Sequence, residues 1–534
     1  MPVVVIVRAI SQAMRTARAF SYLIAFCALA NARAATTLDT IGVTLLRQVD
    51  SSLMGNGVNL VHPEGSSTAS PLDFEVNPEA VGQPVSLFTY ISSNGTANVF
   101  PNSEGSESSH ADSVGLNLYG PSSGVAPQVV HVDNYDALYF VNNVIFALLP
   151  PAISGLVVNQ SFVFDGLAQS DQMTANQDYD DYAAGHGTLF VSGIGNGGAV
   201  LPPATCFNGI GVGAYGGASS TGPNFDGRSK PDITAPAIAT SFSTPYVTGS
   251  AVLLLQGATR GDGGANTTAA ADLRTLKALL LNGAVKPAGW TNGSTTPLDA
   301  RYGAGLVNVF NSWQLLRDGQ HAFIEATSNT MGAPHPPGTN PNNEPTLAGW
   351  DFNSISNPRS VLTYKEEVNH YYFNLSAASS TRYTLQSTLV WNRQSKQTSI
   401  NDLNLFLYNM ANGSLVAAST SAVDNVEHIF ASGLAPGRYD LQVQKNPTGQ
   451  VSQNESYAVA FEFFTLQLNV LKTNGNVAIS YPLVPAGFTL QSTTSFVLPT
   501  SWSPVSTPAS IANNQNLVLL PDTGSALFFR LQGP

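Results

Sequence analysis

The chain has 534 residues, a length at which two to four domains are expected. Hydrophobic residues make up 43% of it and charged residues only 10%, so the chain can bury large cores, which excludes a disordered protein and a coiled coil. The formal net charge of −12 argues against nucleic acid or an anionic membrane surface as a partner.

Residues 1–34 have the pattern of a secretory signal peptide. Three arginines and no acidic residue precede an apolar run at 19–30, which is too short to cross a membrane. Ala32 and Ala34 give the small-x-small pattern of a cleavage site, so we predict an exported protein without a membrane span; an uncleaved anchor is the alternative. Cys206 would be the sole cysteine left after cleavage, which excludes an intramolecular disulfide.

Composition divides the remaining chain into four parts. Residues 35–318 mix short β-branched runs with helical stretches, which predicts an α/β domain with a mainly parallel sheet. Residues 319–345 form a linker rich in Pro, Asn and Gly. In residues 346–465 the apolar period is two, which predicts an antiparallel β-sandwich or jelly roll. Residues 466–534 are predicted to form a small Ig-like β-module.

The densest chemical signal lies in residues 229–256. Thr240 and Ser241 lead into a stretch that is apolar nearly all round, which predicts a buried helix. Ser241 would lie at its amino-terminal end, where unpaired N–H groups and the helix dipole favour negative charge. A helix amino terminus suits a nucleophile whose reaction produces an oxyanion, because the N–H groups there stabilise the negative charge. An ordinary Ser/Thr helix cap is the alternative.

This segment resembles the nucleophile region of the subtilisin-like serine proteases, the subtilases. Residues 230–236 (KPDITAP) match the family motif K-P-D-I/V-x-A-P-G, and residues 240–245 (TSFSTP) match T-S-M/F-A/S-S/T-P, with Ser241 at the nucleophile position. Ala237 and Ala239 replace preferred glycines, and the loop between the motifs is nearly absent, so the wall beside the serine should differ. The resemblance implies a subtilisin-like α/β fold and acyl-transfer chemistry.

The resemblance also implies an oxyanion hole and a histidine base. Asn196, in GTLFVSGIGNGG, takes the position of the family's oxyanion asparagine, and the Ser241 N–H is the second donor; an ordinary Asn-Gly turn is the alternative. His110, in ESSHADSVG, resembles the family's histidine helix and lies 131 residues before the serine. His186 lies only 55 residues before it and abuts the oxyanion strand, which leaves no room for the intervening strands. We therefore predict His110 as the base.

Glu64 falls at the position of the triad acid, where the family has Asp. It follows the predicted strand GVNLV, but its extra methylene demands a shifted backbone and Pro63 removes a hydrogen-bond donor of the sheet. Glu64 is therefore either the residue that orients the base or a surface acid at a strand end. Asp73 and Glu75 are the fallback candidates.

Other patterns carry less chemistry. Residues 120–124 match the G-x-S-x-G pattern of esterases, but Pro121 breaks the strand–turn–helix that this pattern requires. Asp178, Asp180 and Asp181 could hold a structural Ca²⁺, as subtilases often do, although their spacing matches no calcium loop. No catalytic cofactor is required by the predicted chemistry.

These patterns together predict a secreted, monomeric serine endopeptidase that acts on protein or peptide substrates through a Glu/His/Ser triad. Residues 346–465 resemble the pre-peptidase C-terminal β-sandwich of secreted bacterial proteases, which implies substrate or surface binding, or structural support. A catalytically impaired binding protein with a subtilase fold and an exported β-rich adhesion protein are the alternatives.

Overall fold

A computed structural model describes residues 36–323, 345–356, 368–376, 381–446, 451–473, 475–483, 485–495, 501–512, 515–523 and 527–533. The predicted signal peptide and most of the predicted linker lie outside these ranges. Residues 37–465 form one compact unit, and residues 466–534 belong to a second.

The first unit begins with a domain built on a parallel sheet. Its strands are β1 (Asn59–Glu64), β2 (Asp73–Glu75), β3 (Phe88–Ser92), β4 (Gly95–Ala97), β5 (Ser106–Glu107), β6 (His131–Asp136), β7 (Val157–Gln160), β8 (Leu189–Gly193), β9 (Ile210–Tyr215) and β10 (Ile233–Pro236). Eight of them form one sheet in the order β10-β9-β8-β7-β1-β6-β3-β4, and β2 pairs separately with β5. All neighbours in the large sheet are parallel except β3 and β4. Strands β7 and β8 are buried along their whole length, as a sheet covered on both faces requires.

Helices accompany this sheet. They are α1 (Thr37–Thr40), α2 (Val43–Val49), α3 (Pro78–Val81), α4 (Ser109–Tyr119), α5 (Ala137–Phe140), α6 (Gln169–His186), α7 (Thr240–Arg260), α8 (Thr267–Ala270), α9 (Leu273–Asn282) and α10 (Val309–Arg317), with a 3₁₀ turn at Val85–Leu87 and a π turn at Val141–Ile145. Because α7 is apolar around most of its circumference, it is buried, and it packs against β7 to β10 and α4. It ends at Gly261, whose φ of 91° is a left-handed C-cap.

Two four-stranded antiparallel sheets complete the first unit. Their strands are β11 (Ala348–Ser356), β12 (Val368–Leu375), β13 (Tyr383–Trp391), β14 (Leu403–Asn409), β15 (Ser414–Ser419), β16 (Val426–Leu434), β17 (Gly437–Lys445) and β18 (Asn454–Phe464). The sheet orders are β11-β18-β13-β16 and β12-β17-β14-β15. One apolar core that includes Leu385, Trp391, Leu441 and Phe461 lies between them, so this part is a β-sandwich.

The sandwich packs directly on the α/β domain. Helix α9 contacts β13 and β18, and the Gln386 side chain donates a 3.0 Å hydrogen bond to the Ala284 carbonyl. The Arg393 guanidinium lies 2.9 Å from the Asp180 carboxylate of α6. Both charged side chains are buried, so this ion pair is part of a closed interface within the unit.

The second unit contains two small antiparallel sheets around a separate core. Its strands are β19 (Asn469–Thr473), β20 (Asn476–Pro482), β21 (Thr489–Thr493), β22 (Ser503–Pro504), β23 (Ser510–Ala512), β24 (Gln515–Pro521) and β25 (Phe528–Gln532). The sheets are ordered β19-β20-β24-β23 and β22-β21-β25, and Ile479, Leu490 and Phe529 are among the core residues. The predicted fold class, a mainly parallel α/β domain followed by antiparallel sheets, is confirmed. Among the described helices, none has the length and apolarity to cross a membrane.

Candidate active site

The parallel strands bring several polar residues to one edge of the sheet. Glu64 is the last residue of β1, Ser161 directly follows β7, and Asn196 lies three residues after β8. Neighbouring parallel strands end at the same edge, which is where α/β proteins place their sites. Helices α4 and α7 bring His110 and Ser241 to the same region, since each residue lies in the first turn of its helix.

Glu64 and His110 are joined directly. His110 Nδ1 lies 2.7 Å from Glu64 Oε1, so the imidazole Nδ1–H donates to the carboxylate. The Glu64 side chain is 3% exposed and the His110 side chain 37% exposed. Ser108 stabilises the start of α4, because its Oγ accepts a hydrogen bond from the Ala111 N–H. A buried carboxylate thus orients an imidazole that reaches the surface.

This contact changes the pKa values of both partners. Burial alone would raise the pKa of Glu64, but the hydrogen bond and charge of His110, together with His62, outweigh it and hold that pKa below its ordinary value. The hydrogen bond to Glu64 raises the pKa of His110, and desolvation opposes it only in part. Glu64 therefore remains a carboxylate at neutral pH, where it stabilises a positive charge on His110.

Ser241 is the second residue of α7. Its Oγ donates a 3.3 Å hydrogen bond to the Ser161 carbonyl rather than to His110, and Ser161 Oγ donates back to the Ser241 carbonyl at 2.9 Å. The ring of the next residue, Phe242, lies 5.6 Å from the His110 ring between centroids. The serine is therefore in the neighbourhood of the Glu64–His110 pair, with its hydroxyl turned to the carbonyl that follows β7.

Asn196 is fixed by the start of α7. Its Oδ1 accepts hydrogen bonds from the Thr240 backbone N–H at 2.8 Å and from the Thr240 hydroxyl at 2.9 Å. These two donors define the orientation of the amide, because its oxygen faces Thr240 and its Nδ2 faces the other way. Asn196 is exposed, and its two flanking residues, Gly195 and Gly197, adopt positive φ angles that form the turn.

A cleft of about 350 Å³ lies beside these groups. It is lined by residues that follow β7 and β8 and by the first residues of α7: Ser161, Phe162, Val163, Asp165, Gly193, Gly195, Asn196, Gly197, Leu201, Thr240 and Ser241. The predicted nucleophile and oxyanion donor therefore share one cleft. Its lining mixes apolar side chains with backbone of the glycine-rich turn.

The competing candidates lie elsewhere. His186 is the last residue of α6 and stacks on Tyr182, with ring centroids 4.3 Å apart. The Asp73 carboxylate accepts a 2.8 Å hydrogen bond from the Thr68 N–H, within its own loop. Glu75 is fully buried in β2; neither of its carboxylate oxygens makes a hydrogen bond of full geometry, and the Asn102 side chain acts on it only as a weak donor.

The three aspartates considered for calcium lie on α6. The Asp180 carboxylate is bound by the Arg393 guanidinium and by the Asn208 N–H at 2.7 Å, and Asp181 accepts a hydrogen bond from the Lys396 N–H. Asp180 and Asp181 thus attach the sandwich to the α/β domain. Within the described ranges, no group of three or more His, Cys, Asp or Glu side chains is placed to hold a metal ion.

His62 is a neighbour of Glu64 for which no role was predicted from the sequence. This residue is fully buried on β1, its Nε2 lies 3.6 Å from Glu64 Oε2, and its Nδ1 lies 3.1 Å from the Tyr119 hydroxyl. The available signal was the spacing of two, since residues i and i+2 of a strand lie on the same face.

Part of the α/β domain matches a protein-family model. Residues 153–305 match the model of the Subtilase family, Peptidase S8; this range includes Asn196 and Ser241, whereas Glu64 and His110 lie before it. Two solved structures also match. One is described under the assembly of subtilase cytotoxin SubAB, with 16% sequence identity and a TM-score of 0.38; the match covers 53% of this chain and 96% of that chain. The other is tripeptidyl peptidase 2, with 13% identity and a TM-score of 0.30; the match covers 72% of this chain and 43% of that chain. No curated protein matches the sequence. The predicted resemblance to the subtilase family is therefore confirmed, and this family match supports a serine peptidase.

Proposed function

We propose that this protein is a secreted serine endopeptidase that hydrolyses peptide bonds with Glu64, His110 and Ser241 as its triad. The observation that carries the proposal is the 2.7 Å hydrogen bond between Glu64 and His110, at the sheet edge where Ser241 begins a buried helix. The family match to residues 153–305 supports peptidase chemistry independently of this geometry.

The reaction begins when Ser241 Oγ leaves the Ser161 carbonyl and turns to His110 Nε2 by rotation about its side-chain bond. Catalytic hydrogen bonds are often loose without substrate, so the observed rotamer is compatible with this role. Ser241 Oγ attacks the peptide carbonyl carbon while His110 Nε2 takes its proton. His110 then gives that proton to the leaving amine as the C–N bond breaks, which produces the acyl-enzyme. Water next attacks the acyl carbonyl carbon while His110 Nε2 takes its proton, and the return of that proton to Ser241 Oγ as the ester bond breaks releases the acid.

The oxyanion of the tetrahedral intermediate needs donors fixed in advance. The Ser241 backbone N–H is at the free amino end of α7, and Asn196 Nδ2 is directed away from Thr240 because its oxygen is held there. Removal of one such donor from a serine protease costs about 2.7–4 kcal/mol of transition-state stabilisation.

A fluorophosphonate probe tests the activated nucleophile. We expect the purified exported protein to be labelled, and the label to be lost in Ser241→Ala and in His110→Ala. The matched control is His186→Ala, which removes a half-exposed histidine outside the proposed triad and should leave labelling intact. Loss of labelling in His186→Ala alone would mean that the wrong histidine was chosen. A folded wild-type protein that is not labelled would favour a binding protein on a subtilase fold.

Endopeptidase activity and secretion require separate measurements. Internally quenched peptides blocked at both ends should be cleaved, since an endopeptidase needs no free terminus. Amino-terminal sequencing of the exported protein should begin near Ala35. Cleavage confined to peptides with a free amino terminus would contradict the endopeptidase part of the proposal and leave the triad intact.

A further inference from the structure

A second histidine lies behind the proposed triad. His62 and Glu64 are on the same face of β1, and the exposed fraction of the His62 side chain is zero. Its Nε2 lies 3.6 Å from Glu64 Oε2, the carboxylate oxygen that does not contact His110. Neither of these two buried atoms has a hydrogen-bond partner at the observed distance. A shift of a few tenths of an ångström would give both atoms the partner that buried polar groups normally have.

The position of the imidazole proton of His62 follows from its two neighbours, Glu64 and Tyr119. The Tyr119 hydroxyl lies 3.1 Å from His62 Nδ1, and burial raises the pKa of Tyr119 well above its ordinary value, so the hydroxyl keeps its proton. Because the ionised Glu64 carboxylate can only accept, the proton of neutral His62 is on Nε2, the atom that faces it, and Nδ1 accepts from the Tyr119 hydroxyl. An N–H donor is thus directed at the second oxygen of the carboxylate.

The groups around His62 come from three elements. On its own strand β1, His62 faces Glu64, and His110 lies on the far side of that carboxylate. On α4 it faces Tyr119, whose pKa is also raised by the charge of Asp112. On β6 the partner of His62 is Asn134, whose side chain donates to the His62 carbonyl at 3.0 Å. The imidazole therefore lies between a hydroxyl and a carboxylate.

We propose that His62 is a positioning residue that holds the second oxygen of Glu64, so that the first oxygen stays on His110. The inference rests on the proposed function above. A glutamate has one more rotatable bond than an aspartate, so its carboxylate is less well fixed by the backbone. Donors on both oxygens restrict that freedom, as supporting hydrogen bonds do around catalytic groups.

The direct test observes the Nδ1–H proton of His110 by NMR with labelled histidine. A proton held by a carboxylate resonates far downfield and exchanges slowly, and this signal does not depend on catalysis. We expect it in the wild type and in His62→Gln, since an amide can donate to Glu64 and accept from Tyr119. In His62→Leu, which has no donor, we expect the signal to move upfield or to be lost to exchange.

Tyr119→Phe keeps the result decisive if His62→Leu does not fold. This nearly isosteric change removes the hydroxyl whose hydrogen bond to His62 Nδ1 favours the proton on Nε2, so the His110 signal should move in the same direction by a smaller amount. The matched control is His131→Leu on β6, which removes a half-exposed histidine paired with Asp133 and should leave the signal unchanged. If His62→Leu folds and its His110 signal is unaltered, the proposal is overturned. If His62→Leu does not fold, an unaltered signal in Tyr119→Phe overturns it. Absence of the signal from folded wild-type protein would also overturn it.

Labelling rates connect the positioning role to function. The rate of reaction of Ser241 with the fluorophosphonate should fall about 10²-fold in His62→Leu, the cost of a misplacement of about 1 Å, and His62→Gln should recover most of it. A rate equal to that of the wild type in folded His62→Leu would overturn the role. If the wild type is not labelled but its NMR signal responds to His62→Leu, the proposed function fails and the positioning role stands.

Discussion

Two glutamates of the α/β domain are buried to nearly the same degree but differ in their surroundings. Glu64 ends β1 with His110 at one oxygen and His62 near the other, and these partners hold its pKa below the ordinary value although burial opposes them. Glu75 lies in β2, where burial, helped by the charge of Glu104, outweighs the Asn102 side chain and raises its pKa to about 7.

The comparison shows what burial alone does to a carboxyl group. A buried carboxyl whose donors do not offset desolvation keeps its proton to a higher pH and stabilises a nearby cation less well. With imidazole donors, the same side chain is an anion at neutral pH. The neighbours therefore distinguish a candidate triad acid from a buried acid without that role, and variants of the two glutamates should behave in opposite ways.

The largest difference is expected from Glu64→Gln compared with Glu75→Gln. The amide at position 64 keeps the size of the side chain but loses the charge and can hold the wrong tautomer of His110, a change that costs about 10⁴-fold in a serine protease. Glu75→Gln should label with fluorophosphonate at nearly the wild-type rate. If Glu64→Gln stays within tenfold of the wild type, Glu64 does not orient the base.

Glu64→Asp should have a smaller effect, about 10²-fold on the labelling rate. The aspartate keeps the charge, but its carboxylate is withdrawn by one methylene from both His110 and His62. In the double variant Glu64→Asp with His62→Leu, the loss of labelling rate should be smaller than the product of the two single losses. The reason is that the shortened acid has already lost its contact with His62. Fully independent effects in this double-mutant cycle would contradict the link between the two residues.

The parts that were predictable from the sequence are those set by local pattern. The mixture of β-branched runs and helical stretches in residues 35–318 predicted the α/β fold class, and the all-round apolar pattern predicted α7 as a buried helix. The motifs around Asn196 and Ser241 lie inside the segment that matches the family model. In these segments the residue order along a single strand or helix contains the signal.

The rest depends on residues far apart in the chain. The sequence left Glu64 open as a surface acid, whereas its side chain is 3% exposed and contacts His110, a residue of α4 that lies 46 positions later in the chain. Pro63 removes a hydrogen-bond donor, yet β1 continues through it: Pro63 is in register with Tyr135 of β6, whereas β7 pairs with β1 only at Leu60 and Val61. His62 gained significance only when Tyr119 and Glu64 were placed on either side of it.

Glu75→Gln should stabilise the α/β domain at high pH. The unfolded carboxyl ionises near its ordinary pKa of 4.5, whereas the folded one keeps its proton to about 7, so wild-type stability falls as pH rises between these values. Glutamine removes that loss in the free energy of unfolding, which is about 3 kcal/mol at pH 8 and close to zero at pH 4. Thermal unfolding of the wild type and of Glu75→Gln at pH 4 and pH 8 measures this difference in stability. An equal difference at the two pH values would contradict a buried, protonated Glu75.

The smallest effect concerns the pH profile of the fluorophosphonate reaction. Neutral His110 is the active base, and the hydrogen bond to Glu64 raises its pKa, so the wild-type rate should rise through a midpoint above 6.5. In Glu64→Gln the carboxylate is gone and desolvation, which lowers the pKa of a histidine, remains; the residual rate should therefore have its midpoint below 6.5. Glu75→Gln changes a group that does not bind the imidazole, so its midpoint should equal that of the wild type. Equal shifts of this midpoint in Glu64→Gln and Glu75→Gln would mean that the pKa of His110 responds to the overall charge of the domain. The two buried glutamates would then differ in their own ionisation but not in their effect on His110.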